Sequence, residues 1–166
     1  MHSNPEVTVA AVVEQDGRFL IVEERISGRL VLNQPAGHLE DAETLLEAVV
    51  REAREETAWR FRPASMVGTY LWRNPETGRS YLRFAFSGSV DDHHPHRPLD
   101  TGIVRAIWLT HEQLRAQPQR LRSPLVLRCL EDYLLGKRQP LDSVACLGLD
   151  TALQAGSIER MAVVNL

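Results

Sequence analysis

Residues 37–59 read GHLEDAETLLEAVVREAREETAW, and the stretch Arg51–Glu56 packs five charged side chains into six positions. Thr44 to Thr57 contains neither glycine nor proline and is rich in Ala, Leu, Glu and Arg, so it is predicted to be a helix. A helix turns about 100° per residue, which sorts its side chains onto faces. Leu46, Val49, Val50, Ala53 and Thr57 form an apolar stripe expected to pack on a sheet. Glu47, Arg51 and Arg54 face outward. Glu52, Glu55 and Glu56 share the arc between them, on the border of core and solvent. Glu52 and Glu56 are like charges one turn apart, a cost of roughly 0.2–0.5 kcal/mol in an isolated helix. Arg51 is within reach of Glu55 and of Glu47, whereas the axial neighbours of Glu52 are Ala48 and Glu56, which offer it nothing. Taken alone, the helix allows two readings, a salt-bridged solvated face or a carboxylate cluster for a hard cation. Mg²⁺ fits the second, because it seeks oxygen ligands and joins carboxylates to substrate phosphates.

Outward from this helix the chain alternates strand and turn signals. Val7–Val13 and Phe19–Glu23 are β-branched and aromatic runs joined across Asp16-Gly17, a hairpin signal. Leu30–Gln34 is a short strand stopped at Pro35. Met66–Trp72 and Tyr81–Val90 read as strands paired around Asn74-Pro75-Glu76-Thr77-Gly78, and Asp91 to Gly102 is a polar loop. Val104–Leu109 is a further strand. Thr110 caps a short helix His111–Ala116, and Ser123-Pro124 starts a last helix that runs to Gly136. Residues 140–166 carry no clear pattern. This order predicts a single α/β domain over residues 1–142, a mixed β-sheet flanked by helices, with residues 143–166 as a C-terminal extension of undetermined structure.

Length and composition agree with one soluble domain: 166 residues, 43% hydrophobic, 25% charged. The net charge of −3 lacks the basic excess that non-specific nucleic-acid binding requires. No run has the length of a membrane span, and MHSNPEVTV has neither the basic flank nor the apolar run of a signal peptide. Cys129 and Cys146 form no CxxC or Cys/His pattern, which together with the rest suggests a cytoplasmic protein. Cys129 falls in an apolar helical pattern and reads as packing. The oligomeric state is not legible.

The stretch from Gly37 resembles the Nudix box: Gly, five residues, Glu, seven residues, Arg-Glu, an apolar residue, any residue, Glu-Glu, any residue, Gly, an apolar residue. Gly37, Glu43, Arg51, Glu52, Ala53, Glu55, Glu56 and Trp59 all stand where the pattern asks, and Ala58 replaces its final glycine. VTVAAVV, LNQPAGHLE and LRSPLV extend the likeness to the NudJ-like phosphatase subgroup across most of residues 6–142. The resemblance implies an α/β/α sandwich and hydrolysis of phosphoanhydride bonds by attack of a metal-activated water on phosphorus. It also implies dependence on Mg²⁺, with Mn²⁺ as a substitute. By position it makes Glu52, Glu55, Glu56 and the Gly37 carbonyl metal ligands, with Glu43 and Arg51 holding the motif in shape. Nucleoside di- and triphosphates, thiamine diphosphate and its hydroxymethylpyrimidine diphosphate precursor are the small-molecule substrates it suggests, without nucleic-acid or membrane partners.

A diphosphate repels nucleophiles, so its hydrolysis needs charge neutralisation, positioning and an activated water. Glu52 is the first choice to take the water's proton, and Glu56 the alternative. Family members often add a distant loop carboxylate; the position to compare is Gly102, which cannot serve, and Asp100 is its nearby substitute. Glu23 and Glu24 end a strand and could face the metals. Arg25, Arg29, Arg73, Arg83 and Arg122 could clamp phosphate, and Arg122-Ser123 could hold an anion at a helix start. Trp72 and Tyr70 could stack on a ring, strand alternation turning one of them to the core. The DDHHPH loop matches no zinc spacing. A Nudix-like regulatory module that binds a nucleotide without turnover is the competing reading, and a non-catalytic interaction domain a third. Glycine is favoured after a helix because it reaches left-handed angles freely; with Ala58 in that place, the helix is expected to end without a positive φ.

Overall fold

Strand β1 (Glu6–Gln15) shows why the chain folds in layers. Its side chains alternate with period two, and both sets are apolar: Val9, Ala11 and Val13 enter one core cluster, Ala10 and Val12 another. A strand buried on both faces needs a cover on each side. The structure, a computed structural model, describes residues 4–149 and shows those covers.

The mixed sheet has seven strands: β1, β2 (Arg18–Ile26), β3 (Arg29–Asn33), β4 (Ala36–His38), β5 (Arg60–Arg73), β6 (Ser80–Asp91) and β7 (Ile103–Leu109). Its path runs β3-β2-β1-β6-β5, with β4 paired to β1 and β7 to β2. β1 and β6 are parallel, in register from Glu6–Tyr81 to Val13–Gly88. The β1–β2 turn places Asp16 and Gly17 at φ 52° and 74°, the double left-handed geometry that the Asp-Gly pair announces.

Helix α1 (Leu45–Thr57) covers one face, its Leu45, Ala48, Val49 and Ala53 packing on Val9, Phe61, Met66 and Phe86. Helix α2 (His111–Arg115) and helix α3 (Leu125–Leu134) cover the other, where Leu114, Cys129 and Leu130 meet Phe19, Ile21 and Val67. The expected α/β/α sandwich is what the chain adopts. Leu141 and Val144 also pack on the α1-side core. The expectation for the extension falls, over residues 150–166, outside the described residues.

The elements agree with the sequence reading in type and differ in detail. β5 begins at Arg60, six residues before the expected strand, and the three-residue β4 was not anticipated. Ser123 Oγ accepts from the Leu125 N–H at 3.3 Å, the capping role expected of it, although Pro124 is the boundary residue.

Candidate active site

Two devices build the site. The first is the start of α1, where a capping box fixes the helix: the Glu47 N–H donates to Thr44 Oγ1 at 3.2 Å and the Thr44 N–H to Glu47 Oε2 at 2.9 Å. Glu47 is thereby committed to the cap and does not pair with Arg51 as expected. The second is Arg51 itself, which ties the preceding loop to the helix. Its Nε and Nη2 donate to Glu43 at 3.0 and 2.8 Å, and Nη2 also donates to the His38 carbonyl at 3.0 Å. Its Nη1 donates to Glu52 at 2.8 Å and Glu55 at 3.1 Å. Glu52 therefore has the cationic partner its axial neighbours did not supply. The pair holds the Glu43 carboxyl below its usual range and the Arg51 guanidinium above its own.

The sheet takes up more of α1 than the apolar stripe suggested. Glu52 and Glu56 are 8% and 7% exposed, and Leu46 and Val50 are the residues left half-buried. Burial raises the proton affinity of Glu52 against the pull of Arg51. It pushes Glu56 up to about 9, with Glu52, Glu24 and Asp100 adding repulsion, although the Ala36 N–H donates to Glu56 Oε2 at 2.8 Å. Gly37 lies directly against this cluster. A methyl group there would fall 2.1 Å from Glu52 Cδ and Oε1, so only glycine lets β4 approach the carboxylate.

Glu52, Glu56, Gly37 and Asp100 open into a cleft of about 700 Å³ that also holds Thr8, Glu24, Asn33, Arg79, Arg83, Trp72, Tyr81 and Arg122. Glu55, expected beside them, is more exposed and does not line the cleft; its carboxylate pairs with Arg51 at 3.1 Å. Asp100 reaches the cleft because its N–H donates to the Glu55 carbonyl at 2.9 Å, docking the loop on α1. Glu24 lines the cleft; Glu23 instead is clamped by Arg105 at 2.9 Å and by Arg120. Of the arginines considered, Arg83 and Arg122 enter the cleft, whereas Arg29 and Arg73 bond to the Gln119 and Gly78 carbonyls. Tyr70 and Trp72 are two apart on one face of β5, so they separate along the strand, not across it. Tyr70 donates to Asp132 at 3.0 Å over α3, while Trp72 stacks with Tyr81 at 5.7 Å in the cleft. Thr8, Asn33 and Arg79 were missed, since nothing local marks them: strand pairing brings Thr8 and Asn33 to the cleft, and the turn between β5 and β6 brings Arg79.

The end of α1 departs from expectation. Ala58 sits at φ 60°, ψ 10°, its N–H donating to the Arg54 carbonyl at 3.0 Å. The surroundings impose this geometry. Ala58 is 2% exposed, its carbonyl accepts from the His94 N–H at 3.0 Å, and Trp59 stacks on His93 at 4.2 Å. The histidine loop thus packs against the helix end. Cys129 is buried, and burial pushes its thiol up to about 11, in keeping with packing.

Among the described residues no three His, Cys, Asp or Glu side chains close into a ready-made metal cage. The donor set nevertheless fits a hard divalent cation: carboxylate oxygens crowded at the cleft, raised in proton affinity by burial and mutual repulsion, beside a glycine backbone. Such sites in phosphate chemistry are completed by substrate oxygens and water.

A model of the NUDIX domain matches residues 3–128. Phosphatase NudJ of Escherichia coli (strain K12) is 41% identical over 140 residues, spanning 84% of this chain and 90% of that protein. The solved structure of a NUDIX hydrolase from Nitrosomonas europaea is 50% identical, with a TM-score of 0.84 over 86% of this chain and 97% of that one. The NUDIX domain of Shewanella oneidensis NrtR, solved with ADP ribose, shares the fold at 15% identity, with a TM-score of 0.64 over 81% of this chain and 90% of that one. Among the described residues no helix is long and apolar enough to cross a membrane.

Proposed function

Because the chain belongs to the Nudix family, we propose that it is a Mg²⁺-dependent phosphohydrolase of nucleoside di- and triphosphates or thiamine-related diphosphates, acting in one domain over residues 1–142. The observation that carries this reading is the pair of buried carboxylates, Glu52 and Glu56, facing the cleft with guanidinium groups in the same space. An anionic substrate enters a cleft whose acidic part repels it and whose basic part attracts it, so a cation between substrate and carboxylates reconciles the two.

Glu52, Glu55, Glu56 and the Gly37 carbonyl would hold the metal. Mg²⁺ there (or Mn²⁺ in its place) neutralises charge on the phosphate oxygens and makes a nearby water more acidic. Glu52 takes the proton of the attacking water; Glu56, whose burial gives it the greater proton affinity, is the alternative base. Arg51 acts as a positioning residue, fixing the direction of Glu52 and anchoring the loop that carries Gly37 and Glu43. Asp100 and Glu24 raise the negative field without bonding to α1 side chains.

The test is release of orthophosphate and pyrophosphate, measured separately, from a panel of nucleotides and thiamine-type diphosphates with Mg²⁺. Glu52→Gln should lower turnover by roughly 10²–10⁴-fold while leaving the fold unchanged. Full activity in that variant rejects the assignment of Glu52, and tight nucleotide binding without turnover by the wild type favours the regulatory reading.

A further inference from the structure

Four buried polar atoms in the cleft have no hydrogen-bond partner: Thr8 Oγ1, Glu24 Oε1, Asn33 Oδ1 and Arg83 Nε. Buried polar groups are almost always satisfied, so such a concentration marks a place where a ligand completes the bonding. Arg83 is the most costly of the four. It is 7% exposed and no carboxylate bonds to it; Nη1 donates to Gln34 Oε1 at a long 3.4 Å, and the neutral Cys129 thiol is its other hydrogen-bond partner. The Cys129 thiol lies against it, and Glu24 reaches it only through space. Gln34 is held in turn by its own donation to the Val126 carbonyl at 2.7 Å, so the guanidinium has little freedom to turn away. Arg122 is close enough to repel Arg83, and its Nε stands 3.6 Å from Glu24 Oε1. Two guanidiniums sharing one carboxylate leave a net positive charge at this end of the cleft.

We propose that Arg83, with Arg122 and the Thr8 hydroxyl, forms the slot for a substrate phosphate group, making Arg83 a substrate-binding residue. The inference rests on the phosphohydrolase reading and adds to it the phosphate-holding residues. A planar guanidinium presents N–H groups in a fork that matches phosphate oxygens, and a desolvated one gains most from an anion. Thr8 Oγ1 adds a neutral donor. Asn33 Oδ1 and Glu24 Oε1 accept only and do not suit an anion. The Asn33 side chain bonds to the Glu24 carboxyl, and the remaining acceptor capacity of the two would suit N–H or O–H groups of whatever the phosphate is attached to.

Methylenediphosphonate, which cannot be hydrolysed, isolates this step. Calorimetric titration of the full chain with Mg²⁺ present should show binding by the wild type and at least about tenfold weaker binding by Arg83→Met. Arg83→Lys should recover part of the loss, since it restores charge without the fork. The free Arg83→Met protein should melt no lower than wild type, because it loses a buried charge that lacks a hydrogen-bonded counter-ion; a merely structural arginine would give a lower melting temperature. In hydrolysis, the same variant should raise KM more than it lowers kcat. If Arg83→Met does not fold, Arg122→Gln supplies the test, with weaker diphosphonate binding expected. Unchanged binding in Arg83→Met, or in Arg122→Gln where that variant must decide, or no binding by the wild type, overturns the proposal. A wild type that binds diphosphonate through Arg83 yet hydrolyses nothing in the panel leaves the slot intact and removes the phosphohydrolase reading.

Discussion

The Glu43–Arg51 pair should be the strongest single tie between the loop and helix of the candidate site. Arg51 donates to both Glu43 oxygens, at 3.0 and 2.8 Å, with the two side chains 22% and 15% exposed. A hydrogen bond to a charged group contributes about 1.5–3 kcal/mol, and partial exposure lowers this through screening. Glu43→Gln keeps one acceptor and should cost about 1–2 kcal/mol. Arg51→Gln also strips donors from Glu52, Glu55 and the His38 carbonyl, and should cost about 2–4 kcal/mol. Once Arg51 is gone the Glu43 change should matter little, so a double-mutant cycle should return a coupling of about 1–2 kcal/mol. Urea unfolding, read as a shift in midpoint at constant slope, measures all three variants. The pH dependence supplies a sign. The folded Glu43 carboxyl titrates below its unfolded value, so its contribution is complete above about pH 4.3 and is lost as pH falls through the lower folded value. A coupling below about 0.5 kcal/mol at neutral pH, the level expected of an exposed pair, would refute this account.

Gly37→Ala should damage the site while sparing the fold. The new methyl would lie 2.1 Å from the Glu52 carboxylate, so that side chain must swing away. Mg²⁺ affinity should fall at least about tenfold, by analogy with the effect of disturbing residues that orient metal ligands, with the far-ultraviolet circular dichroism unchanged; wild-type affinity would count against the packing argument. Ala58→Gly relieves about 1–2 kcal/mol of left-handed strain and loses a buried methyl worth about 0.8 kcal/mol. Its stability should stay within about 1 kcal/mol of wild type and its turnover should match, as denaturation and phosphate release will show; a loss above about 2 kcal/mol would mean that the methyl packing outweighs the strain.

The local pattern of this chain determined its elements and the motif at its centre. β-Branched and aromatic runs made strands, an uninterrupted Ala, Leu, Glu and Arg run made α1, and Asp16-Gly17 made a hairpin, because these preferences act over a few residues and need no distant partner. The shared face of Glu52, Glu55 and Glu56 was legible for the same reason, since a helix converts spacing into a face, whereas Gly37 and Glu43, which precede the helix, were marked only by the resemblance to the Nudix box. Ala58 shows where local reasoning stops. Its intrinsic preference runs against positive φ, and the contacts of His93 and His94 with Trp59 and Ala58, more than thirty positions away, override it. The cleft shows the same thing on a larger scale. Thr8, Glu24, Asn33, Arg83, Asp100 and Arg122 lie on different strands and loops, and no short-range signal says that they meet. Register between paired strands, and burial by helices on both faces, decide which side chains share one space. Those long-range choices also set the electrostatics, because proton affinity at Glu56 and the unmet bonding of Arg83 both follow from exclusion of water by packed neighbours.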